Sequence, residues 1–155
     1  MSIFVVRHAK AGSRHEWDGD DDTERPLTKP GRRQAAALAA RLAGEQVTGL
    51  WSSPSVRCVQ TIEPLAEVLG LDIVTDPRLA EGAALTGILE LFHDLPDGAV
   101  LCSHGDVIPD LLDALVRRGA HVTTAPDWRK AAVWVLAAPD ADGHVASAAA
   151  EPPPD

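Results

Sequence analysis

The chain is poor in cysteine, and its two cysteines, Cys58 and Cys102, stand in neither a CxxC spacing nor a His/Cys cluster with zinc-ligand spacing. That excludes a disulfide-stapled secreted scaffold and points to a reducing compartment. No apolar run approaches the ~20 residues that a membrane-spanning helix requires. Met1 to Val6 lacks the basic region, long apolar stretch and cleavage site of a signal peptide, and reads as a first strand. A cytoplasmic protein with no membrane partner is therefore expected. Positive charge is also scarce: 14 Lys and Arg stand against 23 Asp and Glu, a net charge of −9. Phosphate backbones reward clustered cations, so a binder of nucleic-acid polymers is excluded. A small phosphorylated ligand gripped by a few converging cations is not. There is no internal repeat and no interdomain linker, and 155 residues suit one core.

Ile3-Phe4-Val5-Val6 is a β-branched and aromatic run that predicts a buried strand ending at Arg7. Residues from His8 to Leu27 are polar and predict a loop, with the acidic stretch Asp18-Gly19-Asp20-Asp21-Asp22 inside it. Thr28 is a candidate N-cap with Pro30 in the first turn; Ala35, Leu38, Ala39, Leu42 and Ala43 follow helical spacing up to Gly44. A second strand is expected at Leu50-Trp51-Ser52. A helix capped by Ser53-Pro54 then buries Cys58, Ile62, Leu65, Ala66 and Leu69, with Pro64 as a possible kink and Gly70 as its stop. Further strands are expected at 72–75, 99–102 and 132–136, with helices after Thr86 and after Gly105. Residues 1–138 form the expected domain, and 139–155, ending in prolines, an expected poorly ordered tail.

Strands alternating with helices predict an α/β fold, a three-layer α/β/α arrangement with a mostly parallel central sheet flanked by helices. Such sheets bind ligands beyond the C-terminal ends of their strands. The polar residues there are Arg7-His8, Ser52-Ser53 and Ser103-His104. Arg7 and Arg57 offer planar forks that match phosphate oxygens, and backbone N–H groups following Gly105 could face an anion. A neutral imidazole can attack phosphorus while a second, protonated one neutralises developing charge.

These residues resemble a family. Arg7-His8-Ala9-Lys10 is similar to the N-terminal signature of the histidine phosphatase superfamily, the phosphoglycerate mutase-like fold. Leu27-Thr28-Lys29-Pro30-Gly31 resembles its LTxxG element and Ser52-Ser53-Pro54-Ser55-Val56-Arg57, through Gln60-Thr61, its SSPxxRxxQT element. Leu79-Ala80-Glu81-Gly82 and Ser103-His104-Gly105-Asp106 resemble the stretches holding its acid and its second histidine. The brevity of the chain resembles the short SixA-type branch. Arg7-His8-Ala9-Lys10-Ala11-Gly12-Ser13-Arg14, Glu24-Arg25-Pro26-Leu27 and Val107-Ile108-Pro109-Asp110-Leu111 are also similar to the phosphatase half of actinobacterial Nudix–histidine phosphatase fusions.

The resemblance implies a cofactor-free, metal-independent phosphohydrolase with His8 as nucleophile and a phosphohistidine intermediate. Arg7, Arg57 and His104 would bind and stabilise the phosphoryl group, with Gly105 beside them, and Glu81 would protonate the leaving oxygen. The implied substrate is a small phosphorylated metabolite or nucleotide. The alternatives are a phosphohistidine-bearing protein, as for SixA, and, further off, a mutase or a non-catalytic phosphate-binding module.

Glu81 is alternatively a solvated loop carboxylate. Lys10, Arg14, His15 and Trp17, in the loop after the nucleophile, are candidates for contact with the leaving group; the three basic residues alternatively balance the acidic run. That run, with Gly19 and no distal glutamate, does not fit a calcium loop and reads as solvated. His93, His121 and His144 read as surface residues.

Overall fold

A computed structural model describes residues 1–154. Seven strands form one sheet: β1 (Ser2–Arg7), β2 (Gly49–Ser52), β3 (Ile73–Thr75), β4 (Ala99–Ser103), β5 (His121–Val122), β6 (Val133–Ala137) and β7 (Ser147–Glu151), in the order β3-β2-β4-β1-β6-β7-β5. The pairs β3–β2, β2–β4 and β4–β1 are parallel, as is β5–β7, whereas β6 runs antiparallel to both β1 and β7. The sheet is thus mostly parallel, with one reversed strand. Four helices cover it: α1 (Lys29–Leu42), α2 (Val56–Leu69), α3 (Leu85–His93) and α4 (Val107–Arg117).

The period-two alternation of the strands sorts their side chains into two cores. Ile3, Val5, Ala99, Leu101, Trp134 and Leu136 pack with Ile88, Leu91, Phe92, Leu111 and Leu115 of α3 and α4. Phe4, Val6, Val100, Cys102 and Val133 face the other way, onto Leu38, Leu42, Ile62 and Leu65 of α1 and α2. Every residue of β4 is buried, as expected of a central parallel strand covered on both faces.

Local chemistry fixes the helix ends. Thr28 caps α1, its Oγ1 accepting the Gly31 N–H at 3.1 Å, with Pro30 in the first turn. Gly70 ends α2 at φ 68°, and Pro64 is carried within the continuous helix. Two expected caps lie elsewhere. Helix α2 starts two residues later than expected, with Ser55 in the cap position; the Ser53 hydroxyl accepts the Ser55 N–H at 3.2 Å and also meets His104. Helix α3 follows Ala84 rather than Thr86.

The tail corrects the expected domain boundary. Residues 147–151 pair with β6 in register Val133↔Glu151 to Leu136↔Ala148, so the sheet extends beyond residue 138. Alanine-rich Ser147–Glu151 carries little β-propensity; it forms a strand because β6 offers it an unpaired edge and Arg41 of α1 ties Glu151 in a two-pronged bond of 3.1 and 2.7 Å. No helix among the described residues is long and apolar enough to cross a membrane.

Candidate active site

Strands β1 and β4 are neighbours in register Arg7↔Ser103, so their C-terminal ends deliver Arg7-His8 and Ser103-His104 side by side. The His8 N–H donates to the Ser103 carbonyl at 3.0 Å, and the two imidazoles meet edge to face, with ring centroids 5.4 Å apart. On the other side of β4, β2 ends at Ser52, and Ser53 places its hydroxyl 2.8 Å from His104 Nε2. Arg57 comes from the first turn of α2. Arg7, His8, Arg57 and His104, together with Gly105, Arg14 and Glu81, line a cleft of about 290 Å³, whose wall is completed by Arg25, Asp106, Lys130 and the loop Ala11–Ser13.

His8 is only 6% exposed. Its Nδ1 lies 2.8 Å from the Ala9 carbonyl oxygen. A carbonyl can only accept, so Nδ1 carries the proton and the lone pair is left on Nε2. Burial pushes the His8 pKa down to about 3; the bond to Ala9 opposes this, and the charges of His104, Arg57 and Arg7 add to it. At neutral pH the ring is therefore uncharged, with a fixed tautomer and its Nε2 lone pair free.

Each of the two arginines keeps a donor to spare. Arg57 is 1% exposed; NH1 donates to the Asp22 carbonyl at 2.9 Å and NH2 to Glu81 Oε2 at 3.1 Å. Arg7 NH1 donates to the Trp128 carbonyl at 2.6 Å. The Nε of each arginine is buried without a hydrogen-bond partner. Buried unpaired donors are costly, and a phosphate oxygen would satisfy them. Gly105 lets Arg7 approach: a Cβ there would lie 2.7 Å from the guanidinium carbon. Burial lowers the Arg7 pKa, with Asp106 opposing the shift; the side chain still stays charged at neutral pH.

The family's other sequence elements hold the loop after His8. The Ala9 N–H donates to Thr61 Oγ1 at 2.9 Å, and that hydroxyl donates to the Arg57 carbonyl at 2.7 Å. Gln60 Oε1 accepts the Leu27 N–H at 2.8 Å. Thr28 donates both its N–H and its hydroxyl to the Lys10 carbonyl, at 3.0 and 3.1 Å. Gly31 must lack a side chain, because a Cβ there would collide with that same carbonyl oxygen.

Of the residues expected near the leaving group, Arg14 lines the cleft, bonded to Glu81 Oε1 at 2.7 Å and 3.6 Å from Asp22. It faces the cleft and is paired with acid. Lys10, His15 and Trp17 lie outside the lining; the Trp17 indole donates instead to the Asp21 carbonyl at 3.1 Å.

The acidic run is only partly solvated. Asp22 folds back onto the site, 2.9 Å from Arg25 Nε and 3.4 Å from Arg57 NH2, and the bond from Arg25 keeps its pKa below the usual carboxylate range. Asp22, Asp106 and Lys130 are residues at the cleft that sequence reasoning passed over, and Ser53, expected at a strand end and as a helix cap, bonds His104. Asp106, two residues after His104, carried the clearest signal; its Oδ2 accepts the Gly82 N–H at 2.8 Å. One His/carboxylate group could hold a metal, Asp140, Asp142 and His144, and it is exposed on the β6–β7 connection rather than in the cleft.

Two histidines and two arginines converge at the strand ends of an α/β sheet, a donor set whose chemistry suits a phosphate group. The model of the histidine phosphatase superfamily (branch 1) matches residues 3–85, just over half of the chain, and the chain belongs to that family. It is 39% identical to an 8-oxo-(d)GTP phosphatase of Mycolicibacterium smegmatis, a match covering 99% of this chain and 49% of that protein. The chain spans about half or less of the length of the curated relatives it matches. Among solved structures, it is similar to the protein histidine phosphatase SixA complexed with tungstate, with a TM-score of 0.76, 23% identity and coverage of 94% and 92% of the two chains. Bacillus stearothermophilus YhfR gives a TM-score of 0.72 at 18% identity, covering 93% of each chain. At these identities the likeness is one of fold.

Proposed function

We propose that this chain is a phosphohydrolase that transfers a phosphoryl group from a small phosphorylated metabolite or nucleotide to His8 and then to water. One observation carries the reading: a neutral His8, with its lone pair on Nε2, shares a cleft with two arginines whose buried Nε atoms lack partners. Nε2 attacks phosphorus, the P–N bond forms and the bond to the leaving oxygen breaks. Arg7, Arg57 and His104 match the three equatorial oxygens and neutralise their charge, so the chemistry calls for no metal. An entering phosphomonoester monoanion competes with Glu81 for Arg57 NH2, and the freed carboxylate takes the ester's own proton and passes it to the leaving oxygen. The same carboxylate then takes a proton from the water that attacks the phosphohistidine, releasing phosphate and restoring His8.

The 39% identity to a protein named for an 8-oxo-(d)GTP substrate supports a nucleotide among the candidates. The free, buried Cys58 and Cys102 fit a reducing cytoplasmic setting. The test is hydrolysis of an aryl phosphate in excess chelator. Turnover should proceed undiminished; a requirement for added divalent metal would refute the mechanism.

A further inference from the structure

Two adjacent cations stand where the chain enters β6, and they are placed differently. Arg129 is 68% exposed and closes an ion pair on Asp127, with NH2 2.6 Å from Oδ2. Lys130 is half-buried and lines the cleft with Arg7, His8, Arg57 and His104. Among the described residues, no carboxylate lies within ion-pair distance of its ammonium; the cleft's acid–base pairs are Arg14 and Arg57 with Glu81, and Arg14, Arg25 and Arg57 with Asp22. The groups around Lys130 are cations instead. Burial, and then the charges of Arg7, Arg25, Lys10 and Arg57, push its pKa below the usual lysine range.

The backbone enforces this position. Ala131 is fully buried and is the one non-glycine residue with positive φ, 68°, among those described. Its N–H lies 3.1 Å from the Arg7 carbonyl and 3.2 Å from that of His8. A positive φ is strained for alanine, and such strain persists where the surroundings over-determine it, often beside functional groups. The residue before it is thereby tied to the main chain of the nucleophile itself.

A phosphomonoester is already matched by Arg7, Arg57 and His104, so Lys130 is a cation left over. We propose that Lys130 forms a second-anion subsite: it binds an anionic group, phosphate or carboxylate, carried by the leaving group close to the reacting phosphoryl. The preferred substrates are then esters with neighbouring anions rather than isolated phosphomonoesters. This rests on the phosphohydrolase reading above.

The test is kcat/KM for two matched pairs of phosphomonoesters, adenosine 3′,5′-bisphosphate against AMP and 3-phosphoglycerate against glycerol 3-phosphate, in the wild type, Lys130→Met, Lys130→Arg and the control Arg129→Ala. The wild type should favour the anion-bearing member of at least one pair by about ten-fold or more, expressed mainly in KM. Lys130→Met should collapse that ratio, Lys130→Arg should retain most of it, and Arg129→Ala should leave it unchanged. The pair that responds identifies the anion. A wild type without preference in either pair, or a ratio unmoved by Lys130→Met, would overturn the proposal. So would turnover of aryl phosphate with none of the four hydrolysed, whereas failure on aryl phosphate as well would overturn the underlying phosphohydrolase reading.

Discussion

On the floor of the cleft, His8, Arg57 and His104 are 6%, 1% and 1% exposed, while on its rim Arg14 and Glu81 keep 59% and 43% of their side chains accessible. The floor residues sit at strand ends or in the first turn of a helix, held by bonds to the backbone and to Ser53 and Thr61. Rim residues are held by side-chain ion pairs, Arg14 to Glu81 and Asp22, and Glu81 also to Arg57. An exposed pair is worth about 0–1 kcal/mol, whereas a buried, unpaired donor aimed at charge developing in the transition state is worth several-fold more. Position is therefore imposed on the floor, while the rim can rearrange around a ligand.

The largest difference should appear at Arg57. Replacing it by lysine keeps the charge but loses the fork, and kcat/KM should fall by roughly 10²-fold or more, the scale set by removing one preorganised donor. A loss below ten-fold would place Arg57 outside the transition state.

Burial of the floor should next be visible in stability. In the unfolded chain His8 binds a proton near its ordinary pKa of 6.5, but in the fold it does so only near 3. Its contribution is thus fully present above pH 6.5 and is lost as pH falls from there towards 3, at up to about 1.4 kcal/mol per pH unit. Denaturant unfolding of wild type and His8→Asn at pH 7, 6, 5 and 4 should show a steeper acid decline for the wild type; parallel curves would mean that His8 is not held neutral.

The smallest effect should come from the rim. Arg14→Ala should change stability by less than about 0.5 kcal/mol and turnover of a small aryl phosphate by less than about three-fold, the scale of an exposed, screened ion pair. A loss as large as that at Arg57 would erase the distinction between rim and floor.

The same division explains what was legible in the sequence. Strand-end positions follow from hydrophobic runs and caps, so Arg7, His8 and His104 could be placed by pattern, and the Gly31 and Gln60-Thr61 elements could be matched before their role in bracing the Lys10 and Ala9 loop was visible. Loop conformation has no period. Asp22 was therefore read as solvated although it reaches three arginines, and Lys10, His15 and Trp17 were expected at a cleft they do not line. β7 was hidden for a different reason: Ser147–Glu151 has no strand-forming pattern of its own, and its order comes from the β6 edge and Arg41.

The central claim is that His8 Nε2 takes the phosphoryl group. Rapid quench with labelled substrate should trap an acid-labile, base-stable phosphoenzyme in the wild type and none in His8→Ala. Equal labelling of the two proteins, or turnover surviving in His8→Ala, would contradict it.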